Sequence, residues 1–196
     1  MTKRIMMLLA DGFEAVEASV FTDVLGWNQF EGAGGTELVT VGLREQLRCT
    51  WNFTVVPEYT LDQVDLASFD ALVIPGGFEE AGFYEDAYDE AFLDVIRYFY
   101  AQDKWIATIC VAALALGKSG ILQGKKATTY NGVGSVRQAQ LREFGAEVLQ
   151  DPIVMDGKII TSYNPSTGFD VAFLVLELLT NAENRQHVER LMGFRD

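Results

Sequence analysis

Histidine, cysteine and basic residues are scarce in this chain, and each scarcity excludes something. There is one histidine, His187, in 196 residues. One imidazole cannot build a His-rich zinc or di-iron site, and any histidine-based catalysis must use His187. The two cysteines, Cys49 and Cys110, lie far apart and form no CxxC or Cys₄ pattern. They are also too few for a disulfide framework, so a reducing, cytoplasmic compartment is expected. Fifteen basic against 28 acidic residues leave a net charge of −13, which makes the chain a poor partner for nucleic-acid phosphates or anionic lipid. No apolar run approaches the 18 or more residues that a membrane helix needs. The six-residue run Ile5–Ala10 is too short for a secretory core and ends at a turn signal, Asp11-Gly12, so a buried strand is expected there. Without export, the Asn52-Phe53-Thr54 sequon carries no meaning. No metal and no cofactor are expected.

Forty-nine per cent hydrophobic and 22% charged residues describe an ordinary globular chain. A chain of this length has a radius of gyration of about 16 Å and buries roughly 70% of its unfolded surface, enough for a core without staples. No Pro/Ser-rich linker, long charge run or repeat divides it, so residues 1–196 are expected to form one domain.

Strand and helix patterns alternate. Continuous apolar runs at 5–10 and 105–109, and the segment Asp70–Pro75 running into Gly76-Gly77, predict buried strands, with further strands expected at 37–41, 126–130, 146–154 and 159–162. Helical spacing appears from Glu14 to about Leu25, through Tyr88, Phe92, Val95, Ile96 and Phe99, over 111–117, 134–144 and 169–179, and over 182–192. Ser166 or Thr167 is the predicted N-cap of the helix at 169–179, and Gly193 closes the last one. Residues 47–57 alternate and end at Pro57, which predicts a small antiparallel hairpin on a sheet edge. The pattern is that of a doubly wound α/β fold, a mostly parallel sheet with helices on both faces.

Such sheets bind ligands beyond the carboxyl ends of their strands. Three turns fall there: Asp11–Glu17, Pro75–Gly77 and Cys110-Val111. Cys110 follows a strand and precedes a helix, which is the setting of a nucleophile elbow. The helix's free N–H groups and dipole favour the thiolate there. The alternative is a buried structural cysteine. With Val16 at 0° on a helical wheel, Val20, Val24 and Phe21 fall at about 40°, 80° and 140°, and Glu17 at about 100°, inside the apolar arc. Burial raises a carboxyl's pKa, and a protonated carboxyl can donate a hydrogen bond to a thiolate. The alternative for Glu17 is backbone capping near the helix start. Glu14, in the first turn, suits the helix dipole or lines the pocket. Gly76-Gly77 allows close backbone approach and could present N–H groups to an oxyanion, or could simply be a tight turn.

Asp11 and the pair Glu79-Glu80 could meet a cationic substrate or be solvated loop charges. His187, among Arg185, Gln186, Glu189 and Arg190, reads as a surface histidine. Two nucleotide motifs fail: Ala112 stands where a P-loop ending in Gly117-Lys118-Ser119 needs glycine, and Arg137 stands where Gly132-Val133-Gly134 needs its third.

Four segments in order, Ala10-Asp-Gly-Phe-Glu-Ala-Val-Glu17, Ala71-Leu-Val-Ile-Pro-Gly-Gly77, Ala107-Thr-Ile-Cys110 and Gly120-Ile-Leu-Gln-Gly-Lys-Lys-Ala-Thr-Thr-Tyr130, resemble the ThiJ/PfpI superfamily. It includes the parkinsonism-associated deglycase and the PfpI-like peptidases. The resemblance runs through Thr161-Ser162-Tyr-Asn-Pro165-Ser-Thr167. It implies a flavodoxin-like, glutamine amidotransferase-like fold and a homodimer, to which residues 27–35 are candidate contributors. It matches Cys110 to the family's reactive cysteine and Glu17 to the carboxyl that bonds it. The backbone of Gly76, Gly77 and Val111 matches the oxyanion pocket. Cys49 falls where the deglycase-like branch has a second cysteine near the dimer interface, although a small edge-strand hydrophobe is the simpler reading.

Two departures stand out. Val111 replaces the histidine that follows the nucleophile in the peptidases, and Tyr130 replaces a histidine of the deglycase-like branch. Proteolysis is therefore disfavoured. Tyr130, Asn131, Tyr163 and Asn164 are candidate pocket contacts, but none is a good base at neutral pH. The expectation is a His-independent cysteine enzyme acting on a small electrophile, an α-oxoaldehyde or an isonitrile. A redox sensor using Cys110 oxidation and a non-catalytic binding module are the alternatives.

Overall fold

The computed structural model describes residues 2–194. Strands β1 (Lys3–Leu9), β2 (Thr36–Gly42), β3 (Leu47–Arg48), β4 (Thr54–Val55), β5 (Tyr59–Thr60), β6 (Ala71–Ile74), β7 (Trp105–Thr108), β8 (Lys126–Ala127), β9 (Glu147–Val148), β10 (Ile153–Asp156) and β11 (Ile159–Ser162) interleave with helices. These are α1 (Ala15–Phe30), α2 (Phe83–Ala87), α3 (Glu90–Ala101), α4 (Ala113–Ser119), α5 (Arg137–Glu143), α6 (Gly168–Leu179) and α7 (Ala182–Leu191).

The main sheet runs β10-β11-β7-β6-β1-β2-β5. Its neighbours are parallel except β10 and β11, which form the antiparallel end. Helices flank it: α1, α6 and α7 pack together as one layer, and α3, α4 and α5 as another. This is the doubly wound, flavodoxin-like arrangement. Burial on both faces explains why the central strands read as unbroken apolar runs: β6 is wholly buried, and so are Ile5 to Leu9 of β1. The chain leaves β1 for β2 on one side and returns to β6 on the other. The carboxyl ends of β1 and β6 therefore flank the topological switch point, with β7 next to them.

Several predicted elements shift. α1 extends to Phe30, beyond the expected Leu25. Glu17, Val20, Phe21 and Val24 are buried as the wheel requires, but Val16 is 48% exposed, because the buried residues of α1 span about 40° to 200° on the wheel, centred near Glu17 and Asn28, and Val16 at 0° lies outside that arc. The hairpin at 47–57 exists as a separate two-stranded sheet of β3 and β4 rather than on the edge of the main sheet. The edge belongs to β5, which lies beyond Pro57 and pairs with Val41 and Gly42. The hairpin instead bonds the loop after β1: Gly12 N–H donates to Arg48 O, Arg48 N–H to Asp11 Oδ1, and Thr50 N–H to Phe13 O.

Of the strand expected at 126–130, only Lys126 and Ala127 join a ladder, with β9. Thr128 and Thr129 bond across instead: Thr128 N–H donates to Thr161 Oγ1, and Thr129 Oγ1 donates to Cys110 O. Thr167 holds the N-cap position of α6, but its hydroxyl donates to Asn164 O within a preceding 3₁₀ turn and caps nothing. Among the described residues, no helix is long and apolar enough to cross a membrane.

Candidate functional site

The three turns predicted to converge do so. The loop after β1 and the loop after β6 are zipped together by backbone. Glu14 N–H donates to Gly76 O at 2.8 Å, Phe78 N–H donates to Gly12 O at 3.3 Å, and Phe13 and Gly77 form an isolated β-bridge. The turn after β7 lies beside them. A Cβ on Gly76 would stand 2.9 Å from Ile109 O and 3.0 Å from both Glu17 Oε2 and Val111 N. A Cβ on Gly77 would overlap Gly12 O and the Phe83 ring. Close approach, rather than positive φ, is what requires glycine at these two positions.

Cys110 opens a 3₁₀ turn at the start of α4 and has φ of +56°, a left-handed conformation rare for a residue with a side chain. Such strain costs on the order of 1–3 kcal/mol and persists only where the surroundings enforce it. Here Ile109 N–H donates to Ile74 O, Ala112 N–H to Ile109 O, and the Thr129 hydroxyl to Cys110 O.

Glu17 is fully buried. Its Oε2 accepts the Gly76 N–H at 2.6 Å, and Oε1 has no hydrogen-bond partner of good geometry. Burial, reinforced by the negative charge of Glu14, raises the Glu17 pKa from near 4.5 to about 8; the Gly76 N–H and the Cys110 thiol oppose the rise. The carboxyl is therefore mainly protonated at neutral pH.

The thiol departs from expectation. The Val111 N–H does favour the thiolate, but burial and an ionised Glu17 outweigh it, and the Cys110 pKa is pushed well up. Cys110 is only 4% exposed. The two groups titrate as a pair. Once Glu17 is protonated its charge no longer raises the thiol, and its O–H becomes a donor that a thiolate can accept.

Cys110, Val111, Gly77 and Tyr130 line a cavity of about 310 Å³. Phe78, Glu79 and Glu80 form one wall, and residues 133–137 form another. Glu14 lies outside this lining; it is the N-cap residue of α1, and burial raises its pKa. Asn131, Tyr163 and Asn164 lie outside it as well, and Asn164 Nδ2 donates to Asn131 Oδ1. Asp11 accepts the Arg48 N–H rather than facing the cavity. His187 is at the surface, with Nε2 3.3 Å from Glu31 O.

Sequence reasoning missed Arg137 and Tyr84. Arg137, with 18% of its side chain exposed, lines the cavity, pairs with Glu79 at 2.6 Å, and holds its guanidinium 5.1 Å from the Tyr84 ring centre. The Tyr84 hydroxyl is buried without a hydrogen-bond partner, and burial pushes its pKa up. The two residues come from separate elements, and no motif or periodicity links them.

Residues 3–178 match the DJ-1/PfpI family pattern. Protein DJ-1alpha of Drosophila melanogaster is 34% identical over 194 residues, covering 97% of this chain and 83% of the relative. Isonitrile hydratase of Pseudomonas putida is 33% identical over 125 residues, covering 64% of this chain and 52% of the relative. Deglycase PfpI of Pyrococcus furiosus is 27% identical over 164 residues, covering 83% and 90%. The crystal structure of Drosophila melanogaster DJ-1beta superposes with a TM-score of 0.86 at 29% identity, covering 98% of each chain. With the pattern spanning nearly the whole chain and relatives at this identity, the protein belongs to the DJ-1/PfpI family.

Proposed function

We propose that this protein is a cysteine-dependent enzyme that acts on a small electrophile, an α-oxoaldehyde or an isonitrile, without a catalytic histidine. The observation that carries the reading is the buried Glu17 carboxyl, held by the Gly76 N–H and facing the thiol of Cys110, which stands at φ +56°. Loss of one proton from the pair allows a Cys110 thiolate facing a protonated Glu17. The thiolate attacks the aldehyde carbon: a C–S bond forms and the carbonyl π pair moves to oxygen. Gly77 and Val111 N–H groups hold the developing oxyanion, and the Glu17 proton passes to it, leaving a hemithioacetal and a Glu17 carboxylate. With an isonitrile the thiolate adds to the terminal carbon: a C–S bond forms, one C–N π pair moves to nitrogen, and the Glu17 proton passes to that carbon, leaving a thioimidate and a Glu17 carboxylate.

Family relatives named isonitrile hydratase and deglycase support both substrate types. Tyr130 and Val111 line the cavity at the two positions where the resembling branches carry histidine, so Glu17 is left as the proton carrier. The reading includes a cytoplasmic homodimer, with exposed Trp27 and Phe30 as candidate contacts.

The test is turnover of methylglyoxal and of methyl isonitrile by wild type, Cys110→Ala and Glu17→Gln. Abolished turnover in Cys110→Ala and a strong reduction in Glu17→Gln are expected. Full activity in Cys110→Ala overturns the reading.

A further inference from the structure

The Cys110 cavity has two walls, and one ion pair spans them. Glu79 stands on the wall after β6 and Arg137 at the start of α5, with Arg137 Nη2 2.6 Å from Glu79 Oε2. The two partners are held very differently. The Arg137 side chain is 18% exposed and the Glu79 side chain 61%. The guanidinium lies over the Tyr84 ring, 5.1 Å from its centre, and Tyr84 in turn packs on Tyr88, with ring centres 4.9 Å apart. Arg137 Nη1 donates to Gln140 Oε1 at 3.0 Å, and the Arg137 backbone N–H donates to Ser135 Oγ. Aromatic face, amide and backbone thus fix the guanidinium. Among the described residues, the Glu79 carboxylate is held by Arg137 alone.

Charge follows the same division. Among the described residues, Arg137 is the one cation that lines the cavity. Glu79 and Glu80 line it too, but both are exposed and keep most of their hydration. A guanidinium withdrawn from water needs an anion against it, and a solvated carboxylate pairs weakly enough to be exchanged. Nη1 and Nη2 each donate once, so two of the five guanidinium N–H groups are engaged and the others can meet a ligand. A carboxylate is the anion whose two oxygens match that fork. A ligand carboxylate therefore replaces Glu79 at the guanidinium, and Glu79 turns to water.

We infer that Arg137 is a specificity-determining residue of the Cys110 cavity and selects electrophiles that carry a carboxylate, with Glu79 occupying the subsite until one binds. The reacting end rests on the proposed function; the carboxylate subsite does not. The substrate class is then a carboxylated α-oxoaldehyde or isonitrile rather than the uncharged members of each series.

Two measurements test this. The first compares kcat/KM for γ,δ-dioxovalerate and for isocyanoacetate with that for the methyl ester of each, at neutral pH. Wild type is expected to favour the free acid. Arg137→Gln is expected to lower the acid-to-ester ratio about thirtyfold, mainly through KM, with Arg137→Lys in between. Glu79→Gln, which removes the competing carboxylate, is expected to raise the ratio about threefold. The two variants thus move it in opposite directions, whereas a pair that merely tied the walls together would be broken equally by either. The second measurement is saturation-transfer NMR of levulinate, a keto acid without an aldehyde, which needs no turnover. The signal is expected in wild type and in Lys158→Gln, a charge control outside the cavity lining, and is expected to be lost in Arg137→Gln. If neither acid nor ester turns over, the proposed function fails and the NMR arm alone decides the subsite. A wild type that prefers the ester, a ratio that falls in both variants, or a levulinate signal unchanged in Arg137→Gln overturns the inference.

Discussion

Cys110 and Cys49 are both buried, at 4% and 1% exposure, and burial pushes both thiols up, Cys49 to about 11. By burial and titration alone they look alike. Their surroundings differ. Cys110 lies at a strained turn among N–H groups, with a fully buried carboxyl as its partner and a cavity wall on its open side. Cys49 lies beside a hairpin strand and lines two cavities, one walled by apolar side chains such as Met7, Leu9, Phe13, Val55 and Pro57 and one at the hairpin turn that includes Arg48, Thr50 and Glu80. Among the described residues, Asp11 is the charged group that adds to the rise. A reactive thiol is thus distinguished by what can stabilise its anion at the moment of attack, not by its resting pKa. The widest test is replacement of each thiol by serine. Cys110→Ser should lower turnover at least about a thousandfold, and Cys49→Ser by less than about twofold. Equal losses would dissolve the distinction.

The next effect belongs to Glu17. Glu17→Gln should slow turnover about 10- to 100-fold and slow alkylation of Cys110 at neutral pH, leaving Cys49 alkylation unchanged. The same variant reads the pKa shift through stability. A native pKa of about 8 against an ordinary value near 4.5 means that the native state binds more protons than the unfolded state across that window. The contribution of Glu17 to wild-type stability therefore falls as pH rises from 4.5 to 8. Glu17→Gln lacks this slope, so its melting temperature relative to wild type should climb over the same range. A constant difference would show that the carboxyl is not protonated at neutral pH.

Gly76→Ala comes third. The new methyl group would crowd Ile109 O, Glu17 Oε2 and Val111 N at about 3 Å, and the first and last of these are backbone. We expect a loss of about 2 kcal/mol in stability and about tenfold in turnover, with Cys49 alkylation unaffected. Denaturant melts and steady-state kinetics on one preparation would check both.

How much of this was legible depends on which interactions set each feature. β1, β6 and β7 were readable because strands buried on both faces must be apolar at every position. Glu17 was readable because a carboxyl in an apolar arc contradicts the local pattern. Val16 was misplaced because the wheel gives spacing and not the centre of the packed face. The stretch 126–130 looked like one strand, but Thr128 and Thr129 bond to Thr161 and to Cys110 O, contacts that local pattern does not encode. The Arg137–Tyr84 and Trp51–Phe78 contacts are tertiary meetings of distant segments. The rise in the Cys110 pKa was likewise invisible, since it arises from enclosure by several elements at once.

The smallest predicted effect concerns a link between the two cysteine regions. The side chain of Asp86 on α2 is only 3% exposed. It accepts the Asp11 N–H at 2.7 Å and two hydrogen bonds from Arg44, at 2.8 and 2.6 Å. Asp11 in turn holds the N–H of Arg48, the residue before Cys49, while Gly12 and Phe13 lead to Gly77. One carboxylate therefore braces the loop that serves Cys110 and the hairpin that buries Cys49. Asp86→Asn keeps an acceptor for Asp11 N–H but loses the charge opposite Arg44. Because Arg44 is half exposed, the cost should be about 1 kcal/mol rather than that of a fully buried pair. Turnover should fall about threefold, and Cys49 should lose protection from alkylation by a similar factor. A fall at Cys110 alone would show that Asp86 serves the cavity only; a change at Cys49 alone would show that the hairpin, not the loop after β1, is what it holds.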